Sequence, residues 1–222
     1  MKVKKMIKAL VAVLLIACSL FSFVACSDEP AADPNPDQLK NQYETKRYYF
    51  RQGYEDSWKV NLKCSDDPAS DTKLVEGHEE QGLALQLVPK DAPENSVSYN
   101  VFCNWNKGVG MVTSSADIAK KVMDEENKLF FNELNFIDEI RNPYNQDADI
   151  VEKNYNKMQW SQVSFTYLDA DGDDCKGVWN LLADGENYYV VSFEGKNAEY
   201  DKYFDDFEKM INDFKKAAWE KE

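Results

Sequence analysis

Three aspartates at alternating positions, Asp169, Asp171 and Asp173, open the stretch DADGDDCKGVWN. A calcium loop needs such alternating oxygen ligands, a glycine at its sixth position for the sharp turn, and a bidentate glutamate at its twelfth. Counted from Asp169, those two places hold Asp174 and Asn180. Without the two defining residues, the stretch predicts a turn between strands, with Gly172 and Gly177 supplying positive φ and the acids in solvent. A weak calcium contact at the three aspartates is the competing reading. His78 is the only histidine and lies in GHEEQG, where it is expected to be exposed. It cannot build a multi-histidine metal site, and any Ser–His–Asp set would rest on it alone. GxSxG, HExxH, CxxC and phosphate-cradling glycine loops do not occur. The sequence therefore names no catalytic, cofactor-binding or metal-ligating residue. Paired carboxylates are so frequent that adjacency selects none of them. Trp58, Trp105, Trp160 and Trp179 fall in or near strands. Core packing is the default for them, and a sugar- or peptide-binding aromatic platform is the alternative.

The remaining reactive side chains are cysteines. Cys18 and Cys26 lie in the first residues, where Lys2, Lys4, Lys5 and Lys8 precede an apolar run from Ala9 to Ala25. A basic start, an apolar stretch and an acidic, proline-bearing flank (SDEPAADPNPD) fit an export signal better than a permanent membrane span. FVAC, residues 23–26, resembles the lipobox of bacterial lipoproteins. The resemblance implies diacylglyceryl transfer to the Cys26 thiol and cleavage just before it. LIAC, ending at Cys18, also matches, but the apolar SLFSFVA after it is a poor start for a soluble chain. Residues 1–25 are thus read as a lipoprotein signal peptide. Residues 26–42 form an acidic tether, in which sixteen residues at about 3 Å each reach roughly 50 Å. Residues 43–222 form a single domain. Removing four lysines and no acids leaves 22 basic and 40 acidic residues, a net charge of −18. That surface repels phosphate backbones and anionic headgroups, so nucleic-acid binding is excluded as a function class. Cys64, Cys103 and Cys175 remain, an odd number. Export permits a Cys64–Cys103 disulfide, while buried free thiols are the favoured expectation.

Periodicity supplies the elements that would position these residues. SWKVNLKC alternates with Trp58, Val60, Leu62 and Cys64 on one side. GLALQLVPK places Leu83, Leu85 and Leu87 in phase, and SVSYNVFCNW does the same with Val97, Tyr99, Val101 and Cys103. The period then changes to that of a helix over 114–134, capped by Ser114 and Asp117. WSQVSFTYL, GVWNLLA and ENYYVVSFEG predict an antiparallel meander, with a hairpin at Asp184–Gly185. Asn197 is the expected cap of a last helix carrying Tyr200, Tyr203, Phe204, Phe207, Met210, Ile211 and Phe214 at three- and four-residue steps. Strands in runs with helices between and after them argue for an α+β domain with an antiparallel β-sheet.

Tyr188–Lys215, YYVVSFEGKNAEYDKYFDDFEKMINDFK, resembles the end of PsbP-like domains: a Tyr-x-Val-x-Phe strand, a polar gap and an amphipathic helix ending in Phe-Lys. The resemblance implies an antiparallel sheet flanked by helices (an α/β/α sandwich). It also implies an exported, small binding or accessory module rather than an enzyme. It carries no functional residue onto this chain. The expectation is a lipid-anchored module facing the extracytoplasmic side of a bacterial cell membrane. Its partner would be an envelope protein or small ligand. The alternatives are an envelope glycan or peptide hydrolase using dispersed carboxylates, and a small solute- or metal-binding lipoprotein.

Overall fold

A computed structural model of the chain describes residues 38–66, 74–79, 82–105, 115–116, 139–141, 150–169, 171–184 and 187–216. The chain divides into the units Met1–Gln38 and Leu39–Glu222, and every element below lies in the second. The strands are β1 (Asn41–Thr45), β2 (Phe50–Tyr54), β3 (Trp58–Lys63), β4 (Leu83–Pro89), β5 (Val97–Trp105), β6 (Glu139–Arg141), β7 (Val151–Tyr155), β8 (Met158–Leu168), β9 (Asp174–Asp184), β10 (Asn187–Lys196) and β11 (Lys215–Lys216). The helix α1 spans Asn197–Asn212.

The larger sheet runs β3-β4-β5-β10-β9-β8-β6, and β7 also pairs with β8. All of its pairings are antiparallel. β10 occupies its centre because Tyr188 to Val191 is apolar on both faces. Tyr189, Val191 and Phe193 enter one cluster, and Tyr188 and Val190 enter the other. A strand buried on both sides loses the simple alternation of a surface strand. The β9–β10 hairpin forms as expected, but Asp184 is a strand residue paired with Asn187 rather than a turn residue.

α1 lies on the first face. Tyr200, Tyr203, Phe207, Met210 and Ile211 are its buried residues. Phe207 stacks on Phe193 at 5.1 Å. Burying each such side chain contributes about 1.5–3 kcal/mol. The helix starts differently from the expectation. Lys196 is the cap and makes no side-chain cap bond. The Asn197 side-chain oxygen is buried with no partner.

The smaller sheet, β1-β2-β11, has no counterpart in the sequence reading. Its strands NQYET and FRQGY carry few apolar residues. Gln52 is nevertheless fully buried, donating to the Met210 and Gly53 carbonyls and accepting from the Tyr99 hydroxyl. Gly53 is obligatory, because the Asp213 carboxylate occupies the place a Cβ would take. That carboxylate accepts from the Leu39 N–H and the Gln42 amide, tying the start of the domain to the end of α1.

β-bulges correct two phase assignments. A register shift lies between Val60 and Leu62 and another between Leu83 and Leu85. One inserted residue moves the next side chain to the opposite face. Leu62 and Leu83 therefore join the second face, away from Val60, Leu85 and Leu87. Among the described residues β3 is an edge strand of this sheet, with Lys59, Asn61 and Lys63 exposed. Among the described residues the domain is sheet-dominated, with one helix. The helix expected over 114–134 lies outside them, apart from Ser115 and Ala116, which are helical.

Candidate functional site

The second face of the large sheet is apolar at one end and polar at the other. Leu83, Phe102, Tyr188, Val190 and Leu181 form the apolar end. Register carries the polar end across the strands. Gln86 opposes Asn100, which opposes Ser192, which opposes Trp179. In the next row Ser98, Glu194 and Gly177 are neighbours, followed by Ser96, Lys196 and Cys175.

The first row is a buried hydrogen-bond ladder. Asn61 donates to Gln86 at 2.6 Å, and Gln86 donates to Asn100 at 3.0 Å. Asn100 donates to Ser98 and Ser192, each at 3.0 Å. The Trp179 indole N–H then reaches Glu194 Oε1 at 2.7 Å. Asn100 is 1% exposed and Glu194 5%. Burial pushes the Glu194 carboxyl above its ordinary value, against the lowering effect of bonds from Trp179 and Ser192.

A cleft of about 470 Å³ opens over this floor, lined by Gln86, Ser98, Tyr167, Cys175, Glu194 and Lys196 among others. Glu194 has a small neighbour in Ser98, on the side where the cleft opens, while on its other side the Phe165 ring fills the place of a Cβ above Gly177. Gly177 is therefore a strand residue covered by an aromatic ring, not the positive-φ turn glycine expected from sequence. Gly172 does have φ of +84°.

The aspartate stretch forms the rim, between β8 and β9 as expected. It folds on itself. Asp169 Oδ1 accepts the N–H groups of Asp171 and Asp173 at 3.0 and 2.8 Å. Lys196 Nζ lies 3.4 Å from Asp169 Oδ2 and 2.6 Å from Asp173 Oδ2. The Asp173 N–H first, and then Lys196, hold the Asp169 carboxyl below its ordinary value. Two of the three candidate ligands are thus engaged by the protein's own donors. Among the described residues no group of three His, Cys, Asp or Glu could hold a metal.

Cys175 lines the same cleft, but burial pushes its thiol up, so it is a poor nucleophile. Cys64, Cys103 and Cys175 are all free and buried. Cys64 and Cys103 flank β4 on opposite sides, bonding to the Ala84 and Gly82 carbonyls. Two strand spacings of about 4.8 Å separate such positions, beyond the reach of a disulfide. Cys64 instead contacts the Tyr43 hydroxyl at 3.1 Å. His78 is half-buried rather than exposed, because its backbone N–H and carbonyl hold the turn between Val75 and Leu83. Trp58, Trp160 and Trp179 are core residues, as the default reading holds. Cys18, Cys26 and the Trp105 side chain lie outside the described residues. Glu194, Gln86 and Asn100 escaped the sequence reading. Their signal is a polar side chain repeated on one face of strands that are otherwise apolar.

No protein-family model matches the chain, and no curated protein matches it. Solved structures are similar at low identity. The solution structure of a cyanobacterial PsbP from Synechocystis has 10% identity and a TM-score of 0.49, covering 79% of this chain and 91% of that one. A protein from Bacteroides thetaiotaomicron has 9% identity and a TM-score of 0.47, covering 82% of this chain. The chain spans about half of that protein, 49% of its length. LpqN, described as involved in cell envelope biogenesis of Mycobacterium tuberculosis, has 10% identity and a TM-score of 0.43, covering 74% and 81%.

Proposed function

We propose that this chain is a lipid-anchored, extracytoplasmic binding module. It holds a small ligand or a partner's side chain in the cleft above Glu194, without catalysis. The cleft carries the reading. It has the size of small-ligand pockets, about 300–1,000 Å³, and a few convergent polar groups on a rigid sheet. The buried thiol beside it is unsuited to covalent chemistry. Anchoring rests on FVAC with Cys26 as the lipidated residue, ahead of the acidic tether. Among the described residues no helix is long and apolar enough to cross a membrane.

Of the Tyr188–Lys215 pattern, the strand and the helix are present as β10 and α1. However, α1 ends at Asn212, and Phe214 and Lys215 lie beyond it, Lys215 in β11. We assign a PsbP-like sandwich on the strand-and-helix part.

A metabolite library screened by NMR against the mature domain tests the binding reading. Ligand-induced shifts at Ser98, Trp179 and Gly195 are expected. No shift at these residues with any compound defeats it. Turnover of glycan or peptide substrates that is abolished in Glu194→Gln would favour the hydrolase reading instead, since a buried carboxyl with a raised pKa suits a general acid.

A further inference from the structure

Resting on the binding reading above, we infer that the cleft recognises an organic ammonium group, seated against the Glu194 carboxylate. Among the described residues five charged ones line it: Glu94, Asp169, Asp171, Glu194 and Lys196. The one cation among them is already engaged, because Lys196 Nζ sits between Asp169 and Asp173. An anionic ligand would meet four carboxylates, whereas a cation offsets the buried one. Glu194 accepts from Trp179 on Oε1 and also from Ser192, and a carboxylate has about four acceptor positions, so capacity remains for a further donor. Ser98, its neighbour on β5, is small and lines the cleft, which leaves the approach open on that side. The Tyr167 side chain lines the same cleft, and an aromatic ring beside a carboxylate is a favourable setting for an alkylammonium. Lys196 shows that an ammonium is stable at this rim. A metal ion fits less well, since Asp169 is filled by backbone N–H groups and a lysine.

NMR titration of the mature domain with n-butylammonium, spermidine, butyrate and butanol tests the inference. Both amines are expected to shift the Trp179 indole N–H and the Ser98 and Gly195 amides, with butyrate and butanol inert. Glu194→Gln is expected to weaken the amines by about tenfold or more, the weight of one charge-assisted bond. Its signal dispersion reports whether it is folded. Ser98→Leu keeps the carboxyl, fills the cleft and is expected to abolish the shifts. Butyrate or butanol acting at these residues as strongly as the amines would overturn the ammonium assignment and leave the binding reading standing. Amine shifts that survive both substitutions, or amines without effect, would also overturn it. The library screen decides the binding reading separately.

Discussion

Asn100→Ala probes whether the floor of the cleft is a rigid, dry network. Asn100 makes three side-chain hydrogen bonds, to Gln86, Ser98 and Ser192, while only 1% exposed. A net contribution of about 1 kcal/mol per bond places the loss near 3 kcal/mol. The orphaned Gln86 amide keeps it from being smaller, since its Oε1 partner Asn61 cannot also satisfy the freed N–H. At about 2–4 °C per kcal/mol for a domain of this size, the melting temperature should fall by roughly 6–12 °C. Urea unfolding followed by tryptophan fluorescence gives the free energy, with an unchanged slope expected. Gln86→Ala should cost less, because it cuts the ladder near the exposed edge strand. A loss below about 1 kcal/mol for Asn100→Ala would refute the reasoning. Water would then already be exchanging into the ladder.

Glu194→Gln should raise the melting temperature at pH 8 and change it little at pH 4. The folded carboxyl titrates above its ordinary 4.5, so ionisation favours the unfolded chain as pH rises from 4.5 through the folded value. Glutamine keeps the acceptor for Trp179 without the charge. A melting difference that does not depend on pH would count against a buried acid. Phe214→Ala should cost about 3–5 kcal/mol by urea unfolding. Phe214 is fully buried, stacks on Phe50 at 5.7 Å and meets Trp160 edge-on at 5.2 Å. Micromolar calcium should leave the melting temperature unchanged, because Asp169 and Asp173 are paired within the chain; a rise lost in Asp171→Ala would restore the calcium reading. Fatty-acid labelling should disappear in Cys26→Ala and persist in Cys18→Ala.

The central strands and α1 were legible because their apolar periods are long and unbroken. Tyr189, Val191 and Phe193, with the stripe from Tyr200 to Phe214, encode one packed interface. Bulges were not legible. Nothing in WKVNLK or LALQLVP marks the inserted residue, and the shift is set by pairing with strands distant in sequence. The small sheet was hidden because Gln52 and Gly53 are buried by hydrogen bonding and close approach rather than by hydrophobicity. The cleft was hidden for a similar reason. A polar residue alternating with apolar ones reads as solvent-facing, yet Asn100 and Glu194 satisfy each other's neighbours beneath the surface. The aspartate stretch is legible as a turn, but its tie to Lys196 depends on β10 returning beside β9.

Lys59, Asn61 and Lys63, with the bulge beside them, bear on how copies of this protein share a membrane. Under the proposed lipid anchor, molecules diffuse in two dimensions and collide in restricted orientations. An eight-stranded sheet ending in an open edge would then be a template for growth into ribbons. Two ammonium groups on β3, opposite the same two on a second copy, make such pairing repulsive. The bulge interrupts the row of backbone groups a second strand would need. Crowding on the bilayer would therefore leave the domains as separate bodies, each with its cleft accessible.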